Sequence, residues 1–288
     1  MINFKYGAFI PSLKTHIQIR ELTFAAYKQL VKIITNDNNV SILEAFDNLI
    51  VELCDVDINT LTFLDKVVIL LTIRSVCIFP VLELSSAKAT HSTTLEFNIN
   101  NIIDKINNTQ VYTHLNHTTQ TYKDLRVTYG IPKCLFYSTE DELVLSTIKL
   151  IELVQSDTYT DITDYKDKVL SSLPATIYVD AKQHIQKIEE EIKKHTLLSI
   201  RSMDQSPDDA VEVTSSILNN SSFELLKISF QRNLFSLYEL EYFLTSKLNI
   251  PYEVVSKSTY AELSIYIGIY NEEQKKQREA EKATPRIG

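Results

Sequence analysis

Residues 61–84 read LTFLDKVVILLTIRSVCIFPVLEL, and this stretch decides the fold. It is the most apolar region of the chain, yet Asp65, Lys66 and Arg74 interrupt it. No run approaches the ~20 apolar residues that a membrane span needs. The reading is therefore a buried core helix that starts near Thr62. Asp65 sits favourably in its positive first turn, and Pro80 stops it. Asp65 and Arg74 lie about two and a half turns apart, on opposite faces, so they form no direct intrahelical ion pair.

Working outward toward residue 1, the period changes twice. Residues 1–20 read as extended, with Ile17/Ile19 alternation and a Pro11–Ser12 turn. Thr23 then caps a helix whose apolar positions Phe24, Tyr27, Leu30, Val31 and Ile34 recur at threes and fours. Ser41 and Glu44 read as a capping box opening a second helix through Phe46, Leu49, Ile50 and Leu53.

Toward higher numbers, residues 81–137 alternate Val, Thr and Tyr with polar residues. Short antiparallel strands are expected at Leu95–Ile99, Val111–Leu115, Leu125–Tyr129 and Cys134–Tyr137, with a helical turn at Ile102–Ile106. A Thr139/Glu142 box opens a helix expected to run through Ile148, Ile151 and Leu153. Another helix follows Asp180, with Ile185, Ile188, Ile192 and His195 at heptad-like steps and outer i,i+4 pairs Glu189–Lys193 and Glu190–Lys194. The polar stretch Ser202–Asp209, with Pro207, is the best linker candidate. Ser221/Glu224, Ser236/Glu239 and Thr259/Glu262 read as three further capping boxes, and Asn249–Ile250–Pro251 as a turn before the last helix. The charged segment from Asn271 onward reads as a frayed helical tail.

These signals give an α+β, predominantly α-helical protein. Four segments follow: a strand plus three helices over 1–80, a small antiparallel β insertion over 81–138, a helical region over 139–201, and a C-terminal helical module with a charged tail over 202–288.

Composition sets limits on function. The chain has 288 residues, 29 Lys and Arg against 37 Asp and Glu, and a formal net charge of −8. That excess of acid argues against wrapping nucleic acid, where basic side chains must replace phosphate counterions. Three widely spaced cysteines without a Cys-x-x-Cys pair give a reduced, intracellular pattern of small buried thiols. The first residues show no signal peptide. Four glycines make phosphate-cradling loops and nucleophile elbows scarce.

No catalytic, cofactor-binding or metal-ligating set emerges. His114 and His117 with His91 and Cys134 offer the one zinc-like grouping, but i,i+3 spacing on a strand sends the two rings to opposite faces. Asp55/Asp57 and Asp208/Asp209 read as solvated caps. The C-terminal aromatics are denser than average. Tyr260, Leu263, Ile267 and Tyr270 repeat at helical spacing, which fits core packing, while Tyr242 and its neighbours also fit a protein-binding face.

Residues 9–34, FIPSLKTHIQIRELTFAAYKQLVKII, together with residues 61–84 resemble the baseplate hub assembly proteins of T-even-type contractile-tail bacteriophages. The matching positions are Pro11, Ser12, Leu22, Thr23, Tyr27, Lys28, Leu61, Asp65, Lys66, Leu70, Leu71, Arg74 and Ser75. Residues 240–274 more weakly resemble the C-terminal helices of tail assembly chaperones. The resemblance implies a non-enzymatic assembly role with baseplate hub and tape-measure proteins as partners; the acidic charge and the lack of a spanning run add the expectation of no nucleic acid and no membrane, and no cofactor is expected. The resemblance also implies a place in the host cytoplasm during assembly or in the virion tail baseplate. Partner contacts are expected at Lys66, Arg74, Tyr242, Tyr260, Ile267 and Tyr270. For Arg74 the alternative is that it complements the negative end of its own helix. A homo-oligomer, a helical adaptor unrelated to phage, and an enzyme with its site in 81–137 remain the competing readings.

Overall fold

An antiparallel hairpin opens the computed structural model, with β1 (Tyr6–Ile10) paired to β2 (Thr15–Ile19). The residues described are 6–88, 91–155, 158–162, 174–196, 198–200, 211–213 and 221–283. Three helices follow: α1 (Phe24–Thr35), α2 (Asn39–Leu53) and α3 (Phe63–Cys77). Thr23 caps α1 by accepting from the Ala26 amide. The expected Ser41/Glu44 box does not open α2. Asn38 does, its side chain accepting from the Ser41 amide at 3.0 Å, because Asn caps as well as Ser and lies three residues earlier.

Helix α3 is the axis of the molecule. Twelve of its fifteen residues are buried, including Asp65, Lys66 and Arg74. It packs against β1, α2, the helix that follows the next hairpin, and two helices of the C-terminal module. Thr62 and Asp65 form the reciprocal cap at its start.

After α3, β3 (Val81–Lys88) pairs with β4 (His91–Asn98), and α4 (Ile99–Asn107) returns along α3. Val111–Leu115, expected as a strand, forms instead the single-turn helix α5 (Val111–His114). A four-stranded antiparallel sheet then takes the order β5 (Thr118–Tyr122), β6 (Leu125–Tyr129), β7 (Ile148–Gln155), β8 (Thr158–Asp161).

Two expectations fail in this sheet. Cys134–Tyr137 lies in an irregular connection, where the Cys134 amide donates to the Tyr137 hydroxyl rather than to a strand partner. The helix capped by Thr139, α6 (Glu140–Ser146), ends at Ser146, and Ile148–Leu153 is strand β7. The i,i+3 spacing of Ile148 and Ile151 imitates a helix only because the β6–β7 register shifts between Thr128 and Tyr129. The sheet thus draws strands from both sides of residue 138.

Helix α7 (Ala175–Thr196) begins five residues before Asp180 and lies against the sheet. The Tyr122 hydroxyl reaches the Asp180 carboxylate and the Tyr129 hydroxyl donates to the Ile177 carbonyl, so two tyrosines tie sheet to helix. Ile185, Ile188 and Ile192 are buried as expected. A short pair, β9 (Leu198–Ile200) and β10 (Val211–Val213), follows. The linker candidate Ser202–Asp209 and the side chains of Lys193, Lys194, His195 and His91 lie outside the described residues.

The C-terminal module comprises α8 (Ser221–Phe230), α9 (Leu234–Tyr242) continuing into a π turn (Phe243–Lys247), α10 (Tyr252–Lys257) and α11 (Tyr260–Ala283). Asn233, not Ser236, caps α9. The Thr259/Glu262 box is present at α11, with both hydrogen bonds made at 2.8 and 3.2 Å. The segment from Asn271 to Ala283 continues α11 rather than fraying. With only four glycines, tight turns fall to other residues: Lys14, Asp37, Lys123 and Asn249 all take positive φ.

Candidate partner-binding surface

Ser12, Asp65, Lys66 and Arg74 meet at or on α3, and each has an intramolecular task. Asp65 is fully buried and accepts four hydrogen bonds. Two come from the Ser12 amide (3.2 Å) and hydroxyl (2.5 Å), two from the Thr62 amide (2.8 Å) and hydroxyl (2.6 Å). One carboxylate therefore fixes the Pro11–Ser12 turn against the start of α3. Lys66 pairs with Asp47 of α2 at 2.8 Å. The Leu22 amide donates to the Cys77 thiol at 3.2 Å.

Arg74 holds the C-terminal module to this core. Its Nε donates to the Ser229 carbonyl at 2.6 Å, and its guanidinium also reaches the Phe79 carbonyl. Burial lowers the Arg74 pKa from its ordinary value, partly countered by Tyr27 and Tyr260. It nevertheless stays charged. Aromatic packing extends the joint. Phe46 lies between Phe223 (6.0 Å) and Phe230 (5.7 Å), and Tyr260 contacts Phe24, Tyr27 and Phe79. Arg232 covers the Tyr260 ring at 4.6 Å. Lys28 of α1 pairs with Glu241 of α9 and sits 4.6 Å over the Tyr238 ring.

Of the six residues expected at partner contacts, the structure buries Lys66, Arg74 and Tyr260 inside the chain. Ile267 and Tyr270 are half-buried, with Tyr270 edge-on to Phe243 at 5.4 Å. Tyr242 alone is openly exposed, at 64%. The same module also leaves Phe235, Tyr238, Tyr252, Ile265, Tyr266 and Ile269 exposed, of which Phe235 and Ile265 exceed 60% exposure. Phe235, Tyr238 and Tyr242 follow at i, i+3 and i+7 along α9, one helical stripe. Sequence reading missed Ile265 and Ile269. The signal was available: α11 is apolar on all sides from Tyr260 to Tyr270, more than one packed face can cover.

The described residues include no group of three His, Cys, Asp or Glu placed to hold a metal. His114 and His117 are both exposed. Cys54 and Cys77 are buried thiols pushed up to about 12 and about 11 by burial, whereas Cys134, expected to be buried, is exposed. Asp57 caps a short turn by accepting from the Asn59 amide. No helix among the described residues is long and apolar enough to cross a membrane.

The family model of the T4 bacteriophage base plate protein matches residues 1–219. The chain belongs to that family, and it is a phage baseplate protein. Comparisons with curated proteins and with solved structures returned no match.

Proposed function

We propose that the protein is a non-enzymatic factor in baseplate hub formation that binds a hub or tape-measure protein through α9–α11. The observation that carries this is the uncovered apolar surface of Phe235, Tyr242, Ile265 and Ile269. It lies just beyond the family-matched segment, on a module that Arg74 and Phe46 hold to the matched core. Aromatic side chains in such a setting are the usual anchors of protein interfaces. Family membership favours this reading over an adaptor unrelated to phage.

The test is co-purification from infected cells with quantitative mass spectrometry of both lysate and virions. A hub or tape-measure protein is expected to accompany the wild-type chain. Its recovery is expected to fall about tenfold for Tyr242→Ser combined with Ile269→Gln. Recovery of neither protein, or recovery unchanged in the double variant, would overturn the proposal. The virion measurement separates a resident hub subunit, present at fixed copy number, from a factor released after assembly.

A further inference from the structure

A polar cavity of about 440 Å³ opens between the hairpin turn, the start of α3 and the α6–β7 junction. Lys149, Lys133 and His117 bring positive charge or donors to it, and no Asp or Glu lines it. In a chain of net charge −8 this is a local reversal. Lys149 Nζ donates to the neutral Asn116 side-chain oxygen at 2.5 Å, and Lys133 Nζ to the Asn59 carbonyl at 2.7 Å. Neither lysine has a carboxylate within ion-pair distance among the described residues. The nearest acid behind the wall, Asp65, already accepts from Ser12 and Thr62. Lys149 is half-buried and Lys133 is exposed at the mouth, and a half-buried cation without a counter-charge is costly to keep unless a ligand supplies one.

The backbone makes room for this arrangement. A Cβ on Gly130 would come within 2.6 Å of the Asn116 carbonyl oxygen and overlap the Lys149 stem. The absent side chain is what lets Lys149 pass over strand β6 into the cavity. Burial, followed by the charge of Lys133, lowers the Lys149 pKa from its ordinary value, with Asp65 partly opposing. An anion between the two amines would remove that repulsion.

We propose that this cavity binds a carboxylate group, held between Lys149 and Lys133. Ile131 and Ile148 supply apolar wall beside the amines, and Leu13 lies 40% exposed at the rim. That mixture suits the short apolar stem of an acidic side chain or small dicarboxylate. A phosphate group more often meets an arginine fork, and no arginine lines this cavity. The site is independent of whether α9–α11 engages the hub.

The test is NMR titration of the full chain at neutral pH and constant ionic strength, following the amides of Asn116, Gly130 and Lys149. The probes are sodium succinate, an acetylated and amidated tetraglutamate peptide, and inorganic phosphate. Saturable shifts with the two carboxylate probes are expected, stronger than with phosphate. Lys149→Met and, separately, the surface variant Lys133→Met should each weaken binding about tenfold without altering the far-UV spectrum. Tighter binding of the peptide identifies a protein segment as the carboxylate source. Equal or tighter binding of succinate identifies a free dicarboxylate. No saturable shift, phosphate binding as tightly as carboxylate, or undiminished affinity in both variants would overturn the proposal.

Discussion

Helix α3 and the first half of α11, Tyr260–Tyr270, are made of similar material and end in opposite circumstances. Each presents apolar side chains on more than one face. Around α3 the hairpin, α2, α4 and the C-terminal module close every side, so even its Asp65, Lys66 and Arg74 are buried and paired within the chain. Around α11 only the face carrying Tyr260 and Leu263 is fully covered, while Ile265 and Ile269 stay above 50% exposed. Apolar content therefore does not decide whether a helix is core or interface. What decides is how many neighbours the topology brings to it. Polar residues follow the same rule: on α3 they become internal fasteners because solvent cannot reach them.

Breaking α3 gives the largest expected effects. Asp65→Ala removes one acceptor from four donors and should cost about 4 kcal/mol, read as a lower urea midpoint. A loss below about 1 kcal/mol would show that Asp65 is not the fastener of the hairpin. Arg74→Met leaves the Ser229 and Phe79 carbonyls without their donor and should cost about 3 kcal/mol. Hydrogen exchange should then rise first in α8–α11, whereas a uniform rise would refute its role as the module's latch.

A third prediction concerns the sheet. His184 is buried beside Tyr129, with Nε2 lacking a hydrogen-bond partner, and burial lowers its pKa to about 4. Its folded value lies below its unfolded one. The unfolded chain therefore binds the proton first, and stability is lost as pH falls from about 6.5 toward 4. Between pH 7 and 4.5 this amounts to about 2 kcal/mol, and His184→Gln should remove that portion of the acid slope. Identical slopes in the two proteins would contradict it. The smallest effect sharpens the contrast: Ile269→Gln on α11 should change stability by less than ~0.5 kcal/mol, by the same urea measurement. A larger loss would mean that the outer face of α11 is part of the core.

The sequence made the helices legible where burial follows the 3.6-residue period, as in α1 with Phe24, Tyr27, Leu30, Val31 and Ile34. It failed where length or pairing overrode local preference. The alternating segment at Val111 closes into one turn of helix, its start held by the Thr109 hydroxyl accepting from the Val111 amide. Ile148 and Ile151 share a buried side of β7 only because of the bulge between them, where Lys149 is the extra residue. Of the candidate surface, the tyrosine-rich segment was visible, but which tyrosines face inward was not. Tyr260 and Tyr242 are the same residue type, and only the docking of the module onto Phe24 and Tyr27 separates them. Lys66 and Arg74 were misplaced for a related reason. Charged residues read as surface unless their partners are known, and those partners, Asp47 and the carbonyls of Phe79 and Ser229, lie up to 155 positions away.

The unbroken run of α11 has a mechanical side. At 1.5 Å per residue its 24 residues span about 36 Å, and about 20 Å of that lies beyond Tyr270, its last packed aromatic. Such a rod magnifies angles: a tilt of about 10° at its base sweeps the far end through roughly 6 Å. The fit of Tyr260 against Phe24, Tyr27 and Phe79 thereby sets the aim of charged residues as far along the helix as Glu279.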